Sequence, residues 1–300
     1  MTTNIRPVKS NHSEQRSLFN SNQNRKVIYD FGSNNGDDLP YYFKKGDVVI
    51  AVEANPLLCK EIESRFPVEI AEGRLFVENC VVTTDDSDNE VYFYISKCHH
   101  VLSQLPKPAE SVIADFEKVL LPSKSAVGLI AKYGNPFYIK IDIEHYDEAI
   151  LKSLFLNNIR PSYISAESHS ISVFSILVAL GEYNAFKLVD GPTVSSKYKD
   201  HQIKVGNKVE IYSFPHHSAG PFGEDVFGDW LPADKFFSLL AIEGLGWKDI
   251  HATQAVVPNS SAKPQPSIRK VVQMFVRYAI KPRIPNKMWS LIAKTYVRLV

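Results

Sequence analysis

No run of this 300-residue chain is apolar for long enough to cross a membrane. Its polar start, MTTNIRPVKSNHSEQRSLFNSNQNRK, has no apolar core that would serve as a secretory signal. Cysteine is scarce: Cys59, Cys80 and Cys98 are too few and too scattered for a disulfide framework or a zinc knuckle. Together these absences point to a reducing cytoplasm. The chain also lacks G-x-G-x-x-G, the turn that brings a pyrophosphate onto a helix N-terminus, which counts against a nicotinamide-dependent oxidoreductase. One further absence is local. Residues 263–300 hold nine bases and no acid; 25 of the 34 bases and all 33 acids therefore fall in residues 1–262, a net of −8 there. An acidic globule carries a basic tail.

What is present begins at Val27. Val27-Ile28-Tyr29 suits a buried strand, and it ends in DFGSNNG, a turn of residues that tolerate positive φ. Val48 to Val52 is a second buried strand, closing on Glu53 and followed by Ala54-Asn55-Pro56, which starts a helix. Strand, glycine turn, helix, strand and carboxylate make up a nucleotide-binding α/β unit. Gly32 and Gly36 let backbone approach a ligand closely. A carboxylate at the end of the second strand can accept both hydroxyls of a ribose. Asp37 and Asp38 at the helix start repel a phosphate, so a ligand with a ribose but no phosphate fits better.

Later strands bring more acids and histidines to the same edge. Phe137 to Glu144 delivers Asp142 and Glu144, followed by His145. Tyr163 to Ala166 delivers Glu167, Ser168 and His169. The carboxyl ends of parallel strands are where open α/β sheets bind ligands. Burying three acids within strand patterns is costly without a purpose; Asp147, by contrast, reads as a cap for the next helix. Around these landmarks the pattern predicts strands over 74–83 and 90–96 and a helix over 107–121. It places a helix over 173–180, a strand near 186–189 and a last strand over 209–214. The domain reading is an arm over 1–24, an α/β domain over 25–215, a Gly- and Trp-containing cover or interface segment over 216–257, and a linker with a basic helical tail over 258–300. Cys98-His99-His100 and His216-His217 read as solvated turns, having no partner at metal-ligand spacing.

YDFGSNNGD, Glu53-Ala54-Asn55-Pro56 and Lys140-Ile141-Asp142-Ile143-Glu144-His145-Tyr146-Asp147 together resemble the motifs of the FkbM methyltransferases, a class I S-adenosylmethionine-dependent family. The resemblance covers residues 26–214. It implies a Rossmann-like, mostly parallel seven-stranded sheet with a reversed last hairpin, and methyl transfer to a hydroxyl of a sugar or other small acceptor. It also implies that Asp30, Gly32, Asn34 and Gly36, with Ser33 in the same turn, line the methionine end of the cofactor. Glu53, with Ala54 and Asn55 beside it, would hold the ribose. His145-Tyr146 departs from the family pattern, which has glycine and a small residue there, and crowds the acceptor side.

A hydroxyl acceptor needs a base near the transferred methyl. His145 and His169 titrate near neutrality, and Asp142, Glu144 or Glu167 can orient or replace them. A divalent metal on Asp142, Glu144 and Glu167 is chemically reasonable but not demanded. A methyltransferase-fold protein that only binds a ligand is the non-enzymatic alternative. In the tail, Ile268, Val271, Val272, Phe275 and Ala279 fall at helical spacing, and Met288, Ile292, Tyr296 and Leu299 repeat the pattern beyond Pro282 and Pro285. They fit packing on the domain or on a sister subunit, or attachment to an anionic membrane from the cytoplasmic side. Nucleic acid fits poorly, because the bases alternate with apolar residues rather than forming a polar patch.

Overall fold

Strand β1 (Val27–Phe31) and strand β2 (Val48–Glu53) are buried on both faces, as their mainly apolar sequences require of strands inside a parallel sheet. The computed structural model describes residues 25–98 and 103–276. After β2 come β3 (Leu75–Asn79), β4 (Val81–Thr83), β5 (Glu90–Ser96), β6 (Phe116–Ser125), β7 (Pro136–Ile141) and β8 (Tyr163–Ser168). The last strands are β9 (Ala185–Asp190), β10 (His201–Val205), β11 (Lys208–Tyr212) and β12 (Gly246–Thr253). The central sheet runs β3-β2-β1-β7-β8-β12-β9, and only β12 is antiparallel to its neighbours.

The helices are α1 (Leu39–Lys45), α2 (Pro56–Arg65), α3 (Pro67–Ala71), α4 (Ala126–Tyr133), α5 (Asp147–Leu156), α6 (Ile171–Ala179), α7 (Val194–Lys197), α8 (Ala233–Glu243) and α9 (Ile268–Phe275). Alternate strand residues feed two cores, one on each face of the sheet. Tyr29, Ile50, Ile139 and Ile164 join α4, α5, α6 and α8 in one core. Ile28, Val49 and Tyr138 join α1 and Phe222 in the other. Phe222 stacks on Tyr138 with ring centroids 3.9 Å apart, which fastens the chain beyond β11 to the sheet.

Four expectations need correction. Of the helix expected over 107–121, only Ile113–Asp115 makes a single 3-10 turn, and residues 116–121 belong to β6, paired antiparallel with β5 from Glu90↔Pro122 to Ser96↔Phe116. The helical spacing of Val112, Phe116 and Val119 yields to pairing with an exposed strand edge, a long-range gain that local periodicity does not register. Residues 74–83 are two strands, because the chain breaks at Cys80 and β4 pairs with β6 instead of extending β3. Residues 208–212 form a separate hairpin with β10. The antiparallel strand of the sheet is β12, so residues 246–253, expected within a cover, lie in the sheet itself between β8 and β9. Residues 1–24, His99, His100 and 277–300 lie outside the described residues.

Candidate active site

The turn after β1 is folded by its own backbone. The N–H groups of Gly32 and Ser33 both donate to Val52 O, at 3.0 and 3.1 Å, and the Gly36 N–H donates to Ser33 O. Gly32 has φ +87°, and a Cβ there would fall 1.9 Å from the carbonyl oxygen of Asp142; only glycine lets β1 and β7 end side by side. Asn34, with φ 49°, turns its N–H onto Glu53 Oε2 at 2.9 Å. The other carboxylate oxygen, Oε1, accepts from the Asn55 N–H at 2.8 Å. Asn55 caps α2 by accepting from the Leu57 N–H. Burial pushes Glu53 up to about 7 against the pull of these two backbone donors.

Beneath the turn lies an ion network. Lys140, buried in β7, sits 3.3 Å from Asp30 Oδ1 and 3.2 Å from Asp142 Oδ2, and donates to Gly32 O at 3.1 Å. Burial opposes its charge, but Asp30, Asp142, Asp38 and Asp249 outweigh that and hold it well above the ordinary lysine value. Asp38, read from sequence as a repeller of phosphate, is buried, accepts hydrogen bonds from Ser218 and the Ala219 N–H, and is pushed by burial up to about 6.

A cavity of about 580 Å³ opens above these strand ends. Gly32, Asn34, Glu53 and Ala54 line one part; Asp142, Glu144, His145, Glu167 and His169 line another. The acids and histidines expected on one side of the site therefore do share one pocket. Asp30, Ser33, Gly36 and Asn55 stand behind the wall: Asp30 holds Lys140, Ser33 Oγ donates to Asp30 O, Gly36 closes the turn against Leu39 and Ile62, and Asn55 caps α2.

In the acidic part, His169 Nε2 is 2.8 Å from Glu167 Oε2 and 3.6 Å from Glu144 Oε2, and its ring centroid is 4.8 Å from that of His145. The Glu167 carboxylate at 2.8 Å raises His169 to about 9 despite its burial. Burial, then the charge on His169, lowers His145 below the ordinary imidazole value. Burial and the neighbouring Glu167 push Glu144 up to about 7. Glu144 and His145 have φ of 37° and 66°, a left-handed pair that points two bulky side chains into a space where glycine is the easier residue. Glu144, His145 and His169 offer ligand atoms within 4.8 Å of one another, a spacing within reach of one metal ion. Asp147 is buried as the first residue of α5, but its carboxylate oxygens have no hydrogen-bond partner, so the expected capping bond is not made.

Sequence reasoning passed over part of the wall. Leu58, Val81, Phe93 and Leu105 give the cavity an apolar side, and His217 and Trp247 edge it from the segment beyond residue 215. His217, read as a solvated turn, is exposed yet reaches the cavity. Asp249 of β12 is buried within electrostatic reach of Asp142, Glu167 and Lys140. One signal was readable: a lysine inside the apolar strand FYIKI needs buried acids to hold it.

A family model described as the methyltransferase FkbM domain matches residues 30–187, ending before both His217 and Trp247. No curated protein matches. Among solved structures, the C-terminal domain of precorrin-6Y C5,15-methyltransferase from Rhodobacter capsulatus is 11% identical, with 80% of this chain and 88% of that one covered at a TM-score of 0.34. An amino pentose methyltransferase from Micromonospora echinaspora, solved with SAM bound, is 10% identical; 53% of this chain and 51% of that one are covered at a TM-score of 0.26. Spermidine synthase from Thermotoga maritima is 9% identical over 85% and 59% of the two chains, at 0.34. Likenesses this distant say nothing about what the chain acts on.

Proposed function

The chain belongs to the FkbM methyltransferase family, and from that premise we propose that it methylates a hydroxyl of a small-molecule or glycan acceptor, using S-adenosylmethionine. The observation that carries this reading is one cavity with the turn after β1 and Glu53 on one side and the cluster of Glu144, His145, Glu167 and His169 on the other.

The residues suit the cofactor. Asn34 Oδ1 is buried without a hydrogen-bond partner and belongs to a cavity-lining residue, which suits it to meet an ammonium group. Glu53 keeps lone pairs beyond the two backbone donors it already satisfies, so it can still accept from ribose hydroxyls. Leu58, Val81 and Leu105 offer an apolar surface for a base ring. S-adenosylmethionine, when bound, supplies an electrophilic methyl group.

The chain's own work is on the acceptor proton. His145 is uncharged at neutral pH because its pKa is lowered, so it can take the proton from an acceptor hydroxyl. His169, held charged by Glu167, can orient the acceptor by donating to one of its oxygens. A second reading is favoured by the grouping of Glu144, His145 and His169: a divalent ion held there would make the hydroxyl acidic without a protein base. Thermal shift tests the cofactor assignment. S-adenosylmethionine and S-adenosylhomocysteine should raise the melting temperature and NAD(P) should not; a rise with NAD(P) alone would overturn it.

A further inference from the structure

Helix α9 carries Ile268, Val271, Val272 and Phe275 at i, i+3, i+4 and i+7, which puts them on one face. That face is open. The four residues are 82%, 48%, 44% and 61% exposed, so the stripe expected to pack on the domain does not do so among the described residues. The helix is moored at its start instead. The Ser267 N–H donates to the carboxylate of Glu243 at the end of α8, and Ser267 Oγ caps α9 by accepting from the Lys270 N–H at 3.3 Å. Glu243 Oε2 is also 4.0 Å from Lys248 Nζ, which ties this mooring to β12.

An occupant of this face must meet two demands. It must bury an apolar stripe, and it must accept the positive charge of residues 263–300, which hold nine bases and no acid. A second copy of the chain, with a net −8 over residues 1–262, answers the charge. An anionic bilayer surface answers both, with acidic headgroups directly over an apolar interior. Among the described residues no helix is long and apolar enough to cross a membrane.

We propose that α9 seats the chain on an anionic membrane surface, with the helix lying in the interface and the acid-free sequence 263–300 supplying the positive charge. The attachment is independent of the methyl-transfer reading.

Co-sedimentation of the full chain with vesicles tests the proposal directly. Vesicles of phosphatidylcholine with phosphatidylglycerol should capture the chain, vesicles of phosphatidylcholine alone should not, and high salt should weaken capture. The double variant Val272→Asp, Phe275→Asp should lose affinity by about tenfold or more while keeping its far-ultraviolet circular dichroism and melting temperature. Failure of the wild-type chain to bind the anionic vesicles at low salt would overturn the proposal, whatever the variant does. So would capture that the folded double variant retains in full. If the variant instead converts a dimer to a monomer while the wild type ignores both vesicles, the face belongs to a second copy and the proposal falls.

Discussion

Glu167 and His169, two residues apart at the end of β8, turn back on each other so that His169 Nε2 faces Glu167 Oε2 at 2.8 Å. This pairing, with burial, divides the protonation states of the cluster around it. It keeps His169 charged, and burial together with that charge keeps His145 uncharged. A cluster that would otherwise hold two similar imidazoles is divided into a donor and an acceptor of protons.

The first prediction concerns His145. His145→Ala should lower turnover by about 10² to 10⁴ and leave S-adenosylhomocysteine affinity unchanged. Because its pKa is lowered below the ordinary imidazole value in the folded chain, the rising limb of the wild-type rate should have its midpoint below pH 6.5. His169→Gln removes the neighbouring charge and should move that limb upward. A wild-type limb above pH 7 would remove His145 from the role.

Metal removal separates the two ways of activating the hydroxyl. With His145 as base, the chelated and dialysed protein retains its turnover. If an ion on Glu144, His145 and His169 is required, chelation abolishes turnover and Mn²⁺ or Mg²⁺ restores it. Rates before and after chelation, with metal content measured on the same sample, decide between them.

Asp147 makes stability depend on pH. Burial, with a smaller contribution from Asp142, raises it from 3.8 to about 8. The folded state therefore binds its proton more tightly than the unfolded state. The stability this contributes is fully present below about pH 3.8 and is lost as pH rises through about 8. Asp147→Asn cannot titrate, so its melting temperature should gain on the wild type between pH 5 and pH 8 and hold a constant margin beyond. A margin that shrinks as pH rises would contradict the assignment.

Gly32 and Gly73 make a matched pair of substitutions. Both have positive φ, but a Cβ at Gly32 meets Asp142 O at 1.9 Å, whereas one at Gly73 meets nothing within 4 Å. Gly73→Ala should cost about 1 kcal/mol from backbone conformation alone. Gly32→Ala should cost several times that, because two strands must part. Urea denaturation of both measures the difference.

The parts of the fold legible in sequence are those where one segment carries its own signal. β1, β2, β7 and β8 are buried over most of their length and read as mainly apolar runs, so the acids and histidines at their ends fall on one edge, as expected. β12 was not legible. Its sequence GWKDIHAT looks polar because Lys248 and Asp249 are buried against charges on other strands: Lys248 pairs with Asp190, and Asp249 lies near Asp142, Glu167 and Lys140. Those partners lie roughly 60 to 110 residues earlier, beyond what any local pattern can report. Trp247, in the segment read as a cover, takes its place from where β12 enters the sheet, whereas His217 sits in a loop fastened to Asp38 through Ser218 and Ala219. β6 shows the opposite failure, a convincing helical period overruled by its partner strand.

The measurement that bears most directly on the account is calorimetric titration of S-adenosylhomocysteine into the full chain and into Glu53→Ala. Glu53 lines the cavity beside the turn after β1, and under the proposed function it would accept from a ribose, a charge-assisted contact worth about 1.5 to 3 kcal/mol. The account predicts saturable binding by the wild type and an affinity roughly 10- to 150-fold weaker in a variant that remains folded. No binding by the wild type, or equal binding by the folded variant, would contradict it.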